Sequence, residues 1–143
     1  MNREEVRERC GPWALVAGAS EGLGAAFAQA AAAHGLNVVL AARRAEALEA
    51  VAREIEQAHG VETRRVAVDL SAADATDRIA DAASGLEIGL LVSNAASEPQ
   101  GPFLDLPLER HLFAIDVNCR APLSLAHHFG QGMVERGRGA IVL

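Results

Sequence analysis

The sequence predicts an α/β fold: a doubly wound parallel sheet of five strands in the order 3-2-1-4-5, with helices on both faces. Short apolar runs alternate along the chain with segments that have the apolar repeat of an amphipathic helix. A glycine-rich turn at residues 18–24 joins the first apolar run to the first helix. Residues 37–42 are almost continuously apolar, which is typical of a strand buried on both faces. Because strand–helix–strand units are right-handed, these segments give a parallel sheet.

The first half of the chain contains three predicted strands and two predicted helices. The helix after the glycine-rich turn is rich in alanine and ends at Gly35, since glycine readily adopts the conformation that ends helices. The second helix carries apolar residues at helical spacing and ends at Gly60. The third strand is more polar than the others, which predicts a position at an edge of the sheet. The three strands cover residues 13–17, 37–42 and 63–68, and the first helix covers residues 25–34.

The second half of the chain continues the alternation. Ser71, followed three residues later by Asp74, predicts a capping box that opens a helix ending near Ala83. A fourth strand, a proline-containing loop and a long helix follow, and we expect the chain to stop within a fifth strand. The fourth strand, the long helix and the fifth strand cover residues 88–93, 108–136 and 140–143.

Composition and charge exclude several classes of protein. The net charge is −6 and the thirteen basic residues, all arginine, are scattered, so we expect no binding to nucleic acid or to an anionic membrane. No apolar run approaches the ~20 residues of a membrane span. Cys10 and Cys119 are far apart in sequence, which indicates free thiols and a cytoplasmic protein. We expect Cys119 to be buried. We expect no metal site, because the adjacent His127 and His128 point in different directions. We also expect a single domain over residues 1–143.

The predicted strand order places a ligand crevice at the carboxyl ends of the first and fourth strands, where the order reverses. The glycine-rich turn follows one of these strands, and residues 94–96 follow the other. In the turn, Gly18 permits a sharp reversal, Gly22 permits close approach of a diphosphate to the backbone, and Gly24 permits close packing of the helix. The first N–H groups of that helix have no acceptors within the helix and favour an anion. The sequence therefore predicts a phosphate-binding crevice.

Four segments, in order, resemble the short-chain dehydrogenase/reductase family, and the resemblance covers residues 11–143. They are the turn at 18–24, with the pattern G-x-x-x-G-x-G, then Asp69, the segment 93–96 and the segment 116–118. The resemblance implies a Rossmann-type sheet and hydride transfer between a nicotinamide cofactor and the carbon of a carbonyl or alcohol substrate. It implies cofactor contacts from Gly18, Ser20, Glu21, Gly22, Leu23, Gly24, Arg43, Arg44, Asp69, Leu70, Asn94, Ala95 and Ala96.

Alternatives remain open for two of these segments. Asp69, which the resemblance places against adenine, is also a reasonable acid before a helix, and Asn94 is also a reasonable residue in a turn after a strand. Ser93 and Ala96 depart from the family pattern N-N-A-G, and the methyl group of Ala96 restricts the approach of a ribose.

The end of the second strand predicts NADP(H) rather than NAD(H). An NAD-selecting protein has an acidic residue here to bind the ribose hydroxyls. This chain has Arg43 and Arg44, and a guanidinium suits a phosphate. Ser20, inside the turn, can donate a further bond to that phosphate. The alternative is a solvated arginine pair at the start of a helix, a position that the helix dipole disfavours for cations.

Asn118 is the one residue of the family's catalytic tetrad that the chain contains. Pro122, four residues on, has no N–H and so leaves the Asn118 carbonyl without its helical donor. By resemblance, that carbonyl holds a water behind the catalytic lysine; the alternative is a plain helix kink.

The chain contains no tyrosine and no lysine, whereas the family's serine and Tyr-x-x-x-Lys pair follow the fifth strand. We therefore expect the cofactor-binding portion of a reductase, inactive alone and homo-oligomeric at full length. A non-catalytic dinucleotide-binding module or scaffold is the alternative, and the intact glycine-rich turn disfavours a degenerate remnant. We expect partly uncovered apolar residues on the long helix, at Leu112, Ile115, Leu123, Leu125, Phe129 and Met133.

Overall fold

Five parallel strands form one sheet in the order β3-β2-β1-β4-β5 in the computed structural model, which describes residues 2–143. This order confirms the predicted topology. The strands are β1 (Trp13–Ala17), β2 (Asn37–Ala42), β3 (Thr63–Ala67), β4 (Ile88–Ser93) and β5 (Ala140–Val142). The helices are α1 (Arg3–Cys10), α2 (Gly22–Ala33), α3 (Ala45–His59), α4 (Ala75–Ala82), α5 (Leu108–Ile115) and α6 (Ala121–Arg136).

The core lies in two layers, one on each face of the sheet. Strand β1 is central and fully buried, and it pairs with β2 on one side and β4 on the other. On one face its Val16 packs in a cluster with residues of α2 and α3, including Leu48. On the other face its Leu15 packs in a cluster with residues of α4 and α6, including Ile79 and Leu125. Burial on both faces explains why β1 and β2 are apolar without alternation.

Helix α1 lies outside the sequence prediction, although its start signal is present in the sequence. The Asn2 side chain accepts a hydrogen bond from Glu5 N–H, and the Glu5 carboxylate accepts one from Asn2 N–H, both at 2.9 Å. This reciprocal capping box starts the helix. Val6 and Cys10 are buried, and Cys10 lies so close to β4 that a side chain on Gly89 would collide with the Cys10 carbonyl. The charged first segment is therefore part of the fold.

The capping box predicted from Ser71 and Asp74 is wrong. Helix α4 begins after Asp74, whose side chain makes no capping hydrogen bond. Ser71 instead donates from both its backbone N–H and its hydroxyl to Asp69, at 2.9 and 2.8 Å. The nearby carboxylate captures the serine in a local turn, because such short-range bonds compete with helix capping.

The predicted long helix is interrupted by a turn of π-helix, Asp116–Arg120, between α5 and α6. The Ala121 N–H bonds to the carbonyl of Asp116, five residues back, so one extra residue is accommodated. Pro122 follows directly at the start of α6. The structure thus has a π-helical turn at the position where one of the two sequence-based interpretations was a helix kink at Pro122.

The expectation of uncovered apolar residues on the long helix is confirmed for one side of the helix only. Leu112, Ile115 and Leu123 are 52, 53 and 70% exposed. The expectation is wrong for Leu125 and Met133, which are 0 and 7% exposed, because they point to the sheet and pack in the second core layer. Phe129 is half-buried against the same layer.

Two further observations concern thiols and membranes. Cys119 is exposed, so the expectation that it is buried is wrong. It lies on the π-helical turn. Within residues 2–143, no helix combines the length and the apolar character needed to cross a bilayer.

Candidate functional site

A cavity of about 610 Å³ lies at the carboxyl ends of the central strands, where the strand order reverses. This volume falls in the range of small-molecule and cofactor sites. Its lining comes from the turns after β1, β2, β3 and β4 and from the long helix. The lining residues are Gly18, Ser20, Glu21, Ala42, Arg43, Arg44, Val68, Asp69, Leu70, Asn94, Ala95, Ala96, Ser97, Phe113 and Val117.

Two glycines of the turn are required by close packing. Gly18 has a φ of +88° and donates from its N–H to the Ala41 carbonyl at 2.7 Å. A Cβ on Gly18 would lie 2.6 Å from the Ala95 nitrogen, and a Cβ on Gly24 would lie 1.9 Å from the Gly18 carbonyl oxygen. Neither position can hold a side chain unless the backbone moves.

Gly22 differs from these glycines because it faces open space. Its φ is +58°, and nothing lies within 4 Å of the place its Cβ would occupy. It is the first residue of α2, and the preceding Glu21 makes no side-chain capping hydrogen bond. The first N–H groups of α2 therefore remain uncapped by the Glu21 side chain at the edge of the cavity, which is the arrangement that favours a bound anion.

The turns after β1 and β2 are joined by an ion pair at the cavity wall. Arg44 Nη2 lies 2.7 Å from Glu21 Oε2, and the two side chains are 59 and 75% exposed. Each residue immediately precedes a helix, Glu21 before α2 and Arg44 before α3. The pair places a carboxylate beside the uncapped helix terminus and a guanidinium directly against that carboxylate.

Arg43 and Asp69 also line the cavity. Arg43 is exposed, and among the described residues its only electrostatic partner is the carboxylate of Asp69. Burial acts to raise the pKa of Asp69, but the two hydrogen bonds from Ser71 and the charge of Arg43 together hold this pKa below its usual value. Asp69 is therefore ionised at neutral pH, and the Arg43 guanidinium lines the cavity beside this negative charge.

The loop after β4 is held at its start and at Ser97. Asn94 N–H and Ala95 N–H both donate to the Ala17 carbonyl at the end of β1, at 2.9 and 3.2 Å. Further on, Ser97 is held by the Asn118 side chain through two hydrogen bonds of 2.8 Å. These bonds position the loop against the cavity.

The structure brings most of the predicted cofactor residues to this cavity. Gly22, Leu23 and Gly24 do not line the cavity, although they form the adjoining first turn of α2. Asn118 does not line it either, but its side chain bonds to Ser97, which does. Sequence reasoning missed Ala42, Val68, Ser97, Phe113 and Val117. Ala42 and Val68 stand next to predicted residues, and the spacing of four between Phe113 and Val117 indicates a shared helix face, but not which cavity that face meets.

No metal-binding cluster accompanies the cavity. Within the part of the chain that the structure describes, no group of three or more His, Cys, Asp or Glu residues is arranged so that it could hold a metal ion.

The sheet order and the position of the cavity define a doubly wound α/β protein with its ligand crevice at the switch point. The family model for short chain dehydrogenases matches residues 12–143. The chain belongs to this family.

Curated relatives of the chain include steroid dehydrogenases. It is 38% identical to a 7beta-hydroxysteroid dehydrogenase of Collinsella aerofaciens over 137 residues, which are 96% of this chain and 52% of the relative. It is 34% identical to the mouse protein described as inactive hydroxysteroid dehydrogenase-like protein 1, covering 99% of this chain and 44% of that protein. The chain thus spans about half the length of the curated relatives it matches.

Solved structures show the same relationship. A structure described as 7beta-hydroxysteroid dehydrogenase superposes with a TM-score of 0.93 at 38% identity, over 99% of this chain and 53% of that one. A short-chain dehydrogenase from Sphingobium yanoikuyae in complex with NADPH superposes with a TM-score of 0.85 at 30% identity, over 91% of this chain and 51% of that one.

Proposed function

We propose that the chain binds NADP(H) and forms the cofactor-binding portion of an oxidoreductase that transfers hydride between the nicotinamide and a carbonyl or alcohol carbon. The observation that supports this most strongly is the cavity at the switch point, which is bordered both by the uncapped N-terminus of α2 and by Arg43. A helix terminus suits a diphosphate, and a guanidinium suits a further phosphate. The NADPH bound to the Sphingobium relative supports the same assignment.

The described residues fit such a cofactor. Gly18 and Gly24 leave the turn without side chains where any Cβ would collide with backbone, and Gly22 leaves the start of α2 open. We assign the diphosphate to the backbone of this turn and of Ser20, and the 2′-phosphate of the adenosine to Arg43 and the Ser20 hydroxyl. Asp69 and Leu70 then lie on the adenine side, and Asn94, Ala95 and Ala96 border the ribose on the nicotinamide side.

The chemistry divides between the cofactor and the protein. When bound, the nicotinamide supplies or accepts the hydride. Asn118 positions the wall through Ser97, and its carbonyl can accept no helical hydrogen bond from Pro122, so it is a candidate acceptor for a water in proton transfer. The chain contains no tyrosine to act as the family's general acid and no lysine to lower the pKa of such a tyrosine. We therefore propose that the chain alone binds cofactor without family-rate turnover, since a general acid contributes about 10²–10⁴-fold.

A non-catalytic dinucleotide-binding module is the second candidate function. It is favoured by the absence of tyrosine and lysine among the 143 residues, and one relative is itself described as inactive. The two candidate functions predict different coding sequences after the codon for Leu143. A downstream serine and Tyr-x-x-x-Lys segment that restores NADPH-dependent ketone reduction supports the enzyme, and a stop codon directly after Leu143 supports the binding module.

We also propose a cytoplasmic location and homo-oligomerisation of the whole protein. Both cysteines are free, which suits a reducing compartment. The exposed Leu112, Ile115 and Leu123 form an apolar strip on the long helix that a subunit contact would cover.

The test of cofactor choice is a fluorescence titration of the 143-residue chain with NADPH and, separately, with NADH. We expect tighter binding of NADPH and, in Arg43→Ala, loss of this preference, since a charge-assisted bond contributes about 1.5–3 kcal/mol. Arg53→Ala, which removes an exposed arginine of α3 away from the cavity, is the matched control. Equal affinities for the two cofactors that Arg43→Ala leaves unchanged would overturn the NADP(H) assignment.

A further inference from the structure

The carboxylate of Glu21 stands where an anion-binding site should have none. It borders the cavity directly before the uncapped first turn of α2, and its side chain is 75% exposed. A free carboxylate there repels a diphosphate, at roughly 1 kcal/mol for two unit charges 4 Å apart even in water. A cation beside Glu21 would offset this repulsion.

Arg44 is that cation. Its Nη2 lies 2.7 Å from Glu21 Oε2, which links the turn after β1 to the turn after β2. Arg44 immediately precedes α3, where the helix dipole disfavours a positive charge. The exposed ion pair with Glu21 offsets part of this cost.

The two neighbouring arginines consequently have different environments. Arg44 is bonded to Glu21, whereas Arg43 borders the cavity with Asp69 as its only electrostatic partner among residues 2–143. A guanidinium already bonded to a carboxylate is less available to a phosphate than one without such a bond.

We propose that Glu21 and Arg44 form a specificity-determining pair. Glu21 holds Arg44 away from the 2′-phosphate, so that of the two arginines only Arg43 selects NADP(H), and Arg44 shields the diphosphate from the charge of Glu21. This inference rests on the proposed function. In this arrangement Glu21 limits the preference for NADP(H) over NAD(H), and Arg44 contributes equally to the binding affinity for both cofactors.

Three variants of the 143-residue chain test the pair by titration with NADPH and with NADH. Glu21→Gln releases Arg44, and the ratio of the NADH to the NADPH dissociation constant should rise about two- to fivefold, the range expected for one exposed ion pair. Arg44→Ala uncovers Glu21, so both cofactors should bind about two- to fivefold more weakly, with the ratio unchanged. In the double variant Glu21→Gln/Arg44→Ala, the gain in the ratio should disappear.

Matched controls separate these effects from a change in net charge. Glu54→Gln and Arg53→Ala make the same charge changes on α3 at exposed residues that do not border the cavity, and both should leave the ratio unchanged. Urea denaturation of each variant checks that the fold is retained, as expected for exposed substitutions.

The outcomes distinguish this inference from the proposed function. If NADPH does not bind the unmodified chain, both are overturned together. If Arg43→Ala removes the preference for NADPH but Glu21→Gln leaves the ratio unchanged, the pair has no role in specificity and the proposed function stands. A fall in the ratio in Arg44→Ala would show that Arg44 itself contacts the 2′-phosphate, which also overturns the inference.

Discussion

The side-chain amide of Asn118 bonds to both backbone polar groups of Ser97: its Oδ1 accepts from the Ser97 N–H and its Nδ2 donates to the Ser97 carbonyl, each at 2.8 Å. Asn118 lies in the π-helical turn, and Ser97 lies on the loop that lines the cavity. Asn118, which by resemblance corresponds to the family's catalytic-tetrad asparagine, thus joins the long helix to the wall of the candidate cofactor site.

The first prediction concerns this contact. Asn118→Ala removes both hydrogen bonds, and we expect the free energy of unfolding to fall by about 1–2 kcal/mol, with weaker NADPH binding because Ser97 lines the cavity. Urea denaturation and NADPH titration measure the two effects. Cys119→Ala, at the adjacent exposed position, should change stability by less than about 0.5 kcal/mol. Unchanged stability in Asn118→Ala would contradict the role of this contact.

The second prediction concerns the packing of the glycine-rich turn. In Gly24→Ala, the new Cβ would lie 1.9 Å from the Gly18 carbonyl oxygen, so the turn must move. We expect a loss of about 1–3 kcal/mol in stability together with loss of NADPH binding. Gly60→Ala is the control, since Gly60 ends α3 in the left-handed region with nothing within 4 Å of its Cβ position. It should cost stability, about 1–2 kcal/mol, and leave binding intact.

The third prediction concerns pH. The pKa of Asp69 is lower in the folded chain than its ordinary value of 3.8, so the unfolded chain binds this proton more readily. The resulting stabilisation is fully present above the unfolded pKa and is lost as the pH falls through it toward the folded pKa. The difference in unfolding free energy between the unmodified chain and Asp69→Asn should therefore shrink between neutral pH and pH values below about 3.8.

Chemical denaturation across this pH range measures the Asp69 effect. Asp77→Asn removes a carboxylate from an exposed position on α4 and controls for the change in net charge. A stability difference for Asp69→Asn that stays constant or grows on acidification would refute the proposed linkage.

The fourth prediction concerns the two thiols. Cys119 is exposed, whereas Cys10 is buried, and its burial raises the pKa of its thiol despite the nearby charge of Arg9. Because the thiolate is the reactive form, a disulfide reagent should modify Cys119 quickly and Cys10 only on unfolding. Cys119→Ser should abolish the fast phase at neutral pH, and Cys10→Ser should preserve it. Two fast thiols in the folded chain would contradict the burial of Cys10.

The sequence predicted the fold because its signals are local. Apolar strand segments and glycine stops, such as Gly35 and Gly60, mark the elements, and parallel connectivity then restricts the order of the strands. Helix α1 could have been found in the same way from Asn2 and Glu5. The capping interpretation of Ser71 failed because Asp69 offered a nearer acceptor, and the sequence does not state which of two local bonds is made.

Much of the candidate site also followed from the sequence, because the residues after β1 and β4 must converge wherever the strand order reverses. The side-chain partners did not follow. Phe113 and Val117 line the cavity only because α5 and the π-helical turn cross above the strand ends.

By itself, the sequence of this protein determined the strand order, the glycine-rich turn and the presence of two arginines after β2. Only the tertiary structure decided that Arg44 pairs with Glu21, that Asn118 holds Ser97, and which side of the long helix is buried. The physical reason is that periodicity and backbone preference act over a few residues, whereas these contacts join groups whose distance and orientation depend on how whole elements pack together.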